Sequence, residues 1–247
     1  MRWELWRPWY EKIVTRLGLD KKADEAAAKT LNDLLPKPST RKLMSLIKGK
    51  ECIVLGAGPS LDDDLKKLKR AGFLNKTLIA ADGATSAVLK YRDPEIIVTD
   101  LDGNVADQLD AWRRGSWLVV HAHGDNIEKV RALPRLDERV IGTIQIKPFG
   151  RLHNFGGFTD GDRAAFIAHE LGASKIYLAG MDLGTRIGRY SGDKNRGRKL
   201  IKLEICGELL SWLTGELGAP LANLTTGGER IQHIPKKDIG SLTSAEY

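Results

Sequence analysis

The sequence has few cysteines and no long apolar segment. Its 247 residues contain two cysteines, Cys52 and Cys206, which excludes a disulfide framework and a zinc site built on thiolates. No apolar run approaches the roughly 20 residues that cross a bilayer. The first residues also lack the apolar stretch of roughly 7–15 residues that marks a signal peptide. We therefore expect a cytoplasmic protein that does not bind a membrane.

Aromatic residues are also scarce, at 6% of the chain, whereas basic residues are in excess. Lysine and arginine number 39 against 32 acidic residues, which gives a net charge of +7 and favours anionic partners. The basic residues do not interleave with aromatic ones, as they do on the stacking surfaces that bind nucleic acid. The sequence therefore argues against nucleic acid, leaves phospholipid and phosphorylated small molecules as the anionic partners that the charge favours, and leaves a homo-oligomer open.

Residues 1–48 are predicted to form a helical appendage to the main domain. Helical spacing of apolar residues stops at Gly18, and two further helical segments follow. The first segment carries Trp3, Trp6 and Trp9. These side chains would anchor the appendage to the main domain or form an aromatic wall for a ligand.

Residues 49–247 alternate short apolar runs with helical segments, which is the pattern of an α/β domain. Runs that are apolar on both faces and are separated by helices indicate a mainly parallel sheet with helices on both faces. We therefore expect a Rossmann-like catalytic domain. The expected strands are Cys52–Leu55, Leu78–Ala81, Ile96–Thr99, Trp117–Val120, Val140–Ile146, Ile176–Ala179 and Leu221–Leu224.

A glycine-rich turn follows the first expected strand. In open parallel sheets, ligands bind beyond the carboxyl ends of the strands, so such positions are the first candidates for a site. The turn consists of Gly56, Ala57, Gly58, Pro59 and Ser60, and a predicted helix follows it. Glycines allow close backbone approach, and the amides at a helix start suit a phosphate. The turn therefore predicts a phosphate site, with a dinucleotide site or a purely structural tight turn as alternatives.

Two carboxylates, Asp100 and Asp102, stand two residues apart at the end of the third expected strand. Both can point inward from a twisted turn, and such a pair suits Mg²⁺, a hard cation that takes carboxylate and phosphate oxygens. The alternative is an Asx turn in which Asp102 caps the next helix. A phosphoryl-transfer enzyme needs this pair, so the sequence predicts a magnesium site at both residues.

Other strand ends also carry polar residues. Asp82 ends the second expected strand, Asp182 follows the sixth, and His121 and His123 follow the fourth. We expect the two histidine rings to lie on opposite faces of the sheet if the strand continues. We then expect His123, rather than His121, to face the site.

A second glycine-rich segment, Asn154–Asp162, opens a long predicted helix. Thr159 and Asp162 have the spacing of a capping box. Gly157 has no such local role, so it would let the backbone approach a ligand. Phe155 would flank a flat ring or pack in the core.

A basic loop spans Tyr190–Lys199 and carries Lys194, Arg196 and Arg198. A charge run is usually a solvated face. Here the loop lies between a strand-end aspartate and a helix, where it could fold over the strand ends and neutralise phosphates, as mobile lids do.

Taken together, the strand-end motifs resemble one family. The chain is similar over most of its length to the archaeal 6-hydroxymethyl-7,8-dihydropterin pyrophosphokinases, which are in turn similar to thiamin pyrophosphokinases. The Gly-Pro-Ser-Leu turn is shared with flagellin-glycosylation proteins and some sialyltransferases, so a nucleotide-sugar glycosyltransferase is the alternative. The motifs that carry the resemblance are Val54–Leu61, Ala81–Ala84, Val98–Gly103, Phe155–Ala164 and Gly180–Gly184.

The resemblance implies an enzyme that uses ATP and Mg²⁺ to transfer a diphosphoryl group to a reduced hydroxymethylpterin, releasing AMP. On this basis, Asp100 and Asp102 would hold magnesium and the Gly56–Ser60 turn would bind ATP. Lys194 and Arg196 would act in catalysis, and Arg198 would bind phosphate. The residues expected to contact the pterin or the ribose are Asp82, His123, Asn154, Phe155, Gly157 and Asp182.

Overall fold

The computed structural model describes residues 1–37, 39–191 and 195–244. Within these residues, eight strands form one sheet in which every neighbouring pair is parallel. The strands are β1 (Glu51–Leu55), β2 (Thr77–Ala81), β3 (Ile96–Thr99), β4 (Trp117–His121), β5 (Val140–Thr143), β6 (Leu152–His153), β7 (Lys175–Ala179) and β8 (Leu221–Asn223).

Helices connect the strands and cover the sheet. They are α1 (Trp3–Leu17), α2 (Lys21–Leu34), α3 (Thr40–Ser45), α4 (Leu61–Arg70), α5 (Ala84–Val88), α6 (Val105–Arg114), α7 (Ile127–Arg131), α8 (Asp160–Glu170) and α9 (Arg196–Gly215). Among the helices that the structure describes, none is both long and apolar enough to span a bilayer.

The strand order is β6-β5-β4-β3-β2-β1-β7-β8. The chain moves outward from β1 to β6 and then returns to place β7 on the other side of β1. This reversal makes the β1/β7 boundary a topological switch point, where open α/β sheets bind ligands. Because all strands are parallel, the residues that follow them gather along one edge.

Helices pack on both faces of the sheet, as alternate residues of β1 show. Val54 belongs to the hydrophobic cluster that contains Phe166 of α8 and Ile205 of α9. Its neighbour Leu55 belongs to the cluster on the other face, with Leu65 of α4. The prediction of a parallel α/β fold with helices on both faces is therefore confirmed.

The N-terminal helices pack against the sheet and contribute side chains to its hydrophobic clusters. Trp6 of α1 is fully buried, and its Nε1 donates to the carbonyl oxygen of Gln145 at 2.8 Å. Its ring meets that of Phe166 edge-on, with a centroid distance of 6.4 Å. Leu31 of α2 packs in a separate cluster with Val120 of β4. Trp6 thus anchors the predicted appendage, whose boundary at residue 48 stays a prediction.

Candidate active site

Three aspartates meet at the carboxyl edge of the sheet. Asp82 follows β2, Asp100 follows β3, and Asp160 is the first residue of α8. One carboxylate oxygen from each lies within 4.8 Å of the others. We call Asp82, Asp100 and Asp160 the acidic cluster. Three carboxylates at this spacing form a donor set that suits a hard divalent cation.

Asp82 is held in place by its neighbours. Its backbone has a φ of 42°, a left-handed conformation that is costly for a residue with a side chain. Its Oδ1 accepts hydrogen bonds from Thr99 Oγ1 at 2.8 Å, Gly103 N at 3.1 Å and Gln108 Nε2 at 2.9 Å. These three donors fix the orientation of the carboxylate before any ligand arrives.

The two aspartates that the sequence paired have different side-chain neighbours. Leu101, between them, has a φ of 65°, and the backbone N–H of Asp102 donates to Asp100 Oδ1 at 3.1 Å, as in the Asx turn that the sequence left as the alternative. Asp100 joins the acidic cluster, and its Oδ2 lies 3.6 Å from His123 Nε2. Asp102 lies outside the cluster, where its Oδ1 accepts from Lys129 Nζ at 2.6 Å. The geometry therefore groups Asp100 with Asp82 and Asp160 rather than with Asp102.

The three residues of the acidic cluster are half-buried. Loss of solvation, together with the charges of Asp100 and Asp82, raises the pKa of Asp160 well above its usual range. Loss of solvation and the Asp100 charge also raise the pKa of Asp82. Like charges held this close disfavour the ionised forms. A bound cation would relieve that repulsion, which is the second reason that the cluster fits a metal.

Basic residues of α9 face the acidic cluster. Arg198 and Lys202 line the same cavity as Asp100 and Asp160. Lys199, next to Arg198 in the helix, is half-buried, and burial followed by the charge of Lys202 lowers its pKa. This arrangement places cations opposite carboxylates, with space between them for anionic oxygens.

The structure describes only part of the predicted basic loop. Arg196 is exposed at the start of α9, with its Nη2 3.5 Å from the carbonyl oxygen of Thr185. Arg198 lies 3.7 Å from Asp125 as an ion pair. Lys194 lies outside the described residues. The catalytic role assigned to Lys194 and Arg196 stays a prediction.

The glycine turn after β1 is tied to the end of β7. The backbone N–H groups of Gly56 and Gly58 donate to the carbonyls of Ala179 and Gly180, at 2.9 and 2.8 Å. These contacts occupy two of the donors that the sequence assigned to phosphate. The first turn of α4 also contains three aspartates of its own, which weakens the attraction of that helix start for an anion.

Asp182 fastens the same turn. Its Oδ2 accepts from the backbone N of Ser60 at 3.1 Å and lies 2.8 Å from the Ser60 hydroxyl. The loop after β7 covers the turn as well. A Cβ atom at Gly188 would lie 2.1 Å from the oxygen of Ala57 and 2.9 Å from the nitrogen of Pro59. The described contacts of Asp182 and Ser60 are thus within the protein, and their predicted ligand roles stay predictions.

The second glycine-rich segment supports the start of α8. The amide of Asn154 donates to two backbone carbonyls, at 3.2 and 3.0 Å, and its oxygen accepts a backbone N–H at 2.9 Å. Phe155 is buried and stacks on His153, with a centroid distance of 5.5 Å. A Cβ at Gly157 would lie 2.4 Å from the Cα of Arg163. These contacts position α8, and contact of these residues with substrate stays a prediction.

A cavity of about 150 Å³ adjoins the acidic cluster. The rings of His121 and His123 stack along it, with a centroid distance of 5.9 Å and an interplanar angle of 23°. The expectation that the two rings lie on opposite faces is wrong, because the backbone of His123 is still extended, with a φ of −146° and a ψ of 169°, and residues two apart on an extended chain share a face. Arg163 and Phe158 also line the cavity.

Sequence reasoning missed four residues of this site, namely Asp160, His121, Arg163 and Lys202. Asp160 and Arg163 lie in the glycine-rich motif that had been singled out. The structure confirms the predicted capping box of Thr159 and Asp162. That box explained Asp162 but gave no role to Asp160. No spacing signal connects Asp160 with Asp82 and Asp100, since their proximity depends on how α8 crosses the sheet.

Known proteins place the chain in a family. Residues 25–188 match the family described as "6-hydroxymethylpterin diphosphokinase MptE-like". Curated relatives from Pyrococcus furiosus and Methanothermobacter thermautotrophicus are each 45% identical, over 86% of this chain and 94% and 95% of their own lengths. One from Methanocaldococcus jannaschii is 39% identical, over 86% of this chain and 95% of its own. All three carry the name 6-hydroxymethyl-7,8-dihydropterin pyrophosphokinase.

A solved structure shares the fold. The Maf glycosyltransferase from Magnetospirillum magneticum superposes with a TM-score of 0.60 over 91% of this chain and 39% of the glycosyltransferase chain. Its sequence identity is 17%, so the likeness concerns architecture alone. The matched family segment holds all three aspartates of the acidic cluster. The chain therefore belongs to the 6-hydroxymethylpterin diphosphokinase MptE-like family.

Proposed function

We propose that this chain transfers the diphosphoryl group of ATP to the hydroxymethyl oxygen of 6-hydroxymethyl-7,8-dihydropterin and releases AMP. The family and the names of three relatives at 39–45% identity support these substrates. The reaction belongs to pterin biosynthesis. The fold likeness to a glycosyltransferase supplies no comparable support for the sugar-transfer alternative, because its identity is 17%.

The observation that carries the proposal is the acidic cluster facing the cations of α9. Its three carboxylate oxygens, within 4.8 Å of one another, fit Mg²⁺ as a hard cation that also binds phosphate oxygens. When bound at Asp82, Asp100 and Asp160, Mg²⁺ would neutralise charge on the oxygens of the transferred group. The structure thus supports a magnesium site that differs from the sequence prediction by including Asp82 and Asp160.

The protein side chains act mainly by positioning and by charge. The hydroxymethyl oxygen attacks the β-phosphorus, a new phosphorus–oxygen bond forms, and the bond from the β-phosphorus to the oxygen bridging it to the α-phosphorus breaks. AMP leaves with that bridging oxygen, and the hydroxyl proton is released. A primary hydroxyl gains most from correct placement. Arg198, Lys199 and Lys202 would stabilise the negative charge on the phosphate oxygens as it redistributes.

A product assay tests this function. We expect equimolar AMP and pterin diphosphate, and no ADP, when the protein is given ATP, Mg²⁺ and 6-hydroxymethyl-7,8-dihydropterin. Phosphorus NMR separates these products, and leaving out the pterin or the metal should abolish AMP formation. Appearance of ADP with a pterin monophosphate would contradict the proposal. So would release of a nucleotide from a nucleotide sugar while ATP stays intact.

A further inference from the structure

The cavity beside the acidic cluster is walled by both parts of the chain. The turn between α1 and α2 contributes Gly18 and Leu19, and the start of α2 contributes Ala23. The stacked rings of His121 and His123 also line the cavity. Asp100 and Asp160 of the acidic cluster line the same space, so a ligand held there lies next to the expected transfer centre.

The walls contain polar atoms without partners. His121 Nε2 and Arg163 Nε are buried and have no hydrogen-bond partner in the described part of the chain. The other ring nitrogen of His121 lies 3.2 Å from Thr143 Oγ1. Buried polar groups are nearly always hydrogen-bonded, so each such group calls for an explanation. A flat heterocycle with donors and acceptors on its edge would provide the missing partners after a small adjustment of the walls.

We propose that this cavity holds the pterin ring, with its hydroxymethyl group directed at the acidic cluster. The inference rests on the proposed function. In the pterin substrate, the reacting oxygen is one carbon away from the ring, so the ring itself must lie beside the transfer centre. In ATP, the ribose and the α-phosphate separate the adenine from the β-phosphorus. A cavity of about 150 Å³ directly beside the cluster therefore suits the pterin and not the adenosine.

One backbone contact joins two walls of the cavity, α2 and the loop of His123. The backbone N of Gly124 donates to Asp24 Oδ1 at 2.9 Å, which ties the loop of His123 to α2. Asp24 Oδ2 in turn accepts from Gln145 Nε2 at 2.7 Å. A Cβ at Gly124 would lie 2.7 Å from the Cβ of Ala23, closer than carbon atoms pack. A side chain at this position would therefore push α2 and the His123 loop apart.

The close approach of Gly124 and Ala23 allows a test in which a second substitution restores the lost space. In Gly124→Ala the two methyl groups collide, and in the double variant Ala23→Gly/Gly124→Ala the collision is removed. Calorimetric titration gives the Kd of 6-hydroxymethyl-7,8-dihydropterin without nucleotide, and that of α,β-methylene-ATP with Mg²⁺ and no pterin. We expect Gly124→Ala to raise the pterin Kd about tenfold, as loss of well-placed contacts does, and to change the nucleotide Kd less than about threefold. The double variant should bind pterin as the parent does.

A second variant tests the same assignment through a side chain, without moving the backbone of α2 or the His123 loop. His121→Phe preserves a buried ring and removes Nε2, so it should also raise the pterin Kd about tenfold and leave the nucleotide Kd unchanged. Weaker nucleotide binding with unchanged pterin binding, in either variant, would overturn the assignment in favour of the nucleotide. Unchanged binding of both ligands, or a double variant as weak as Gly124→Ala, would overturn it as well.

These outcomes are separate from failure of the proposed function. If the parent protein forms AMP and pterin diphosphate while the variants bind pterin normally, only the location of the pterin is wrong. If the parent protein neither binds the pterin nor forms these products, the proposed function is wrong.

Discussion

Asp100→Asn is expected to lower kcat by about 1,000-fold, because several kcal/mol of charge stabilisation at the phosphoryl group would be lost with the metal. Asp100 is the member of the acidic cluster that also lies 3.6 Å from His123 Nε2. The substitution keeps the size of the side chain and removes its charge. Initial rates of AMP formation at saturating ATP, Mg²⁺ and pterin measure the effect.

Asp110→Asn is the matched control. Asp110 lies on α6 and forms an exposed ion pair with Arg113 at 2.6 Å. Exposed pairs of this kind contribute little to stability. The control should therefore keep the parent kcat and the parent thermal unfolding curve. If Asp100→Asn retains more than a tenth of the parent kcat, the acidic cluster is not the transfer centre.

Lys202→Ala is expected to lower kcat/KM for ATP by about 10- to 100-fold, which corresponds to one lost charge-assisted contact to phosphate. Lys202 lines the cavity together with Asp100 and Asp160, and its Nζ lies 5.7 Å from the centre of the Phe158 ring. Rates at varied ATP and fixed pterin separate this loss from a change in pterin KM.

Lys12→Ala serves as the control for this substitution, because Lys12 also contacts α9, through Glu208 at 2.7 Å, on an exposed surface. It should leave kcat/KM for ATP unchanged. Arg196→Ala, measured alongside, tests the sequence-based assignment of Arg196 to catalysis. A Lys202→Ala enzyme with parent kinetics would mean that α9 does not contact the phosphates.

The fold could be predicted because its signal is local. Each buried strand appears as a short apolar run, and each helix interrupts those runs, so the alternation identifies a parallel sheet without any knowledge of long-range contacts. Two details lacked such a signal. β6 has only two residues, and β5 ends at Thr143 although the apolar run continues to Ile146.

The candidate site could be predicted only in part, because its decisive contacts are not local. Asp100 was found from its place at a strand end. Its grouping with Asp160 depends on how α8 crosses β2 and β3, which no spacing encodes. Asp102 lies outside the cluster, and the residue before it, Leu101, has a left-handed backbone that no local sequence signal predicts. The turn of Gly56 was found correctly as a strand-end turn, although its amide donates within the protein.

The most direct test of the acidic cluster is metal binding by two single variants. Free Mn²⁺, a spectroscopic substitute for Mg²⁺, is titrated against the parent protein, Asp160→Asn and Asp102→Asn by electron paramagnetic resonance. The geometry predicts that Asp160→Asn weakens Mn²⁺ binding by about tenfold or more, whereas Asp102→Asn changes it less than about threefold. The opposite order, with Asp102→Asn abolishing binding and Asp160→Asn retaining it, would contradict the cluster and restore the pairing of Asp100 with Asp102.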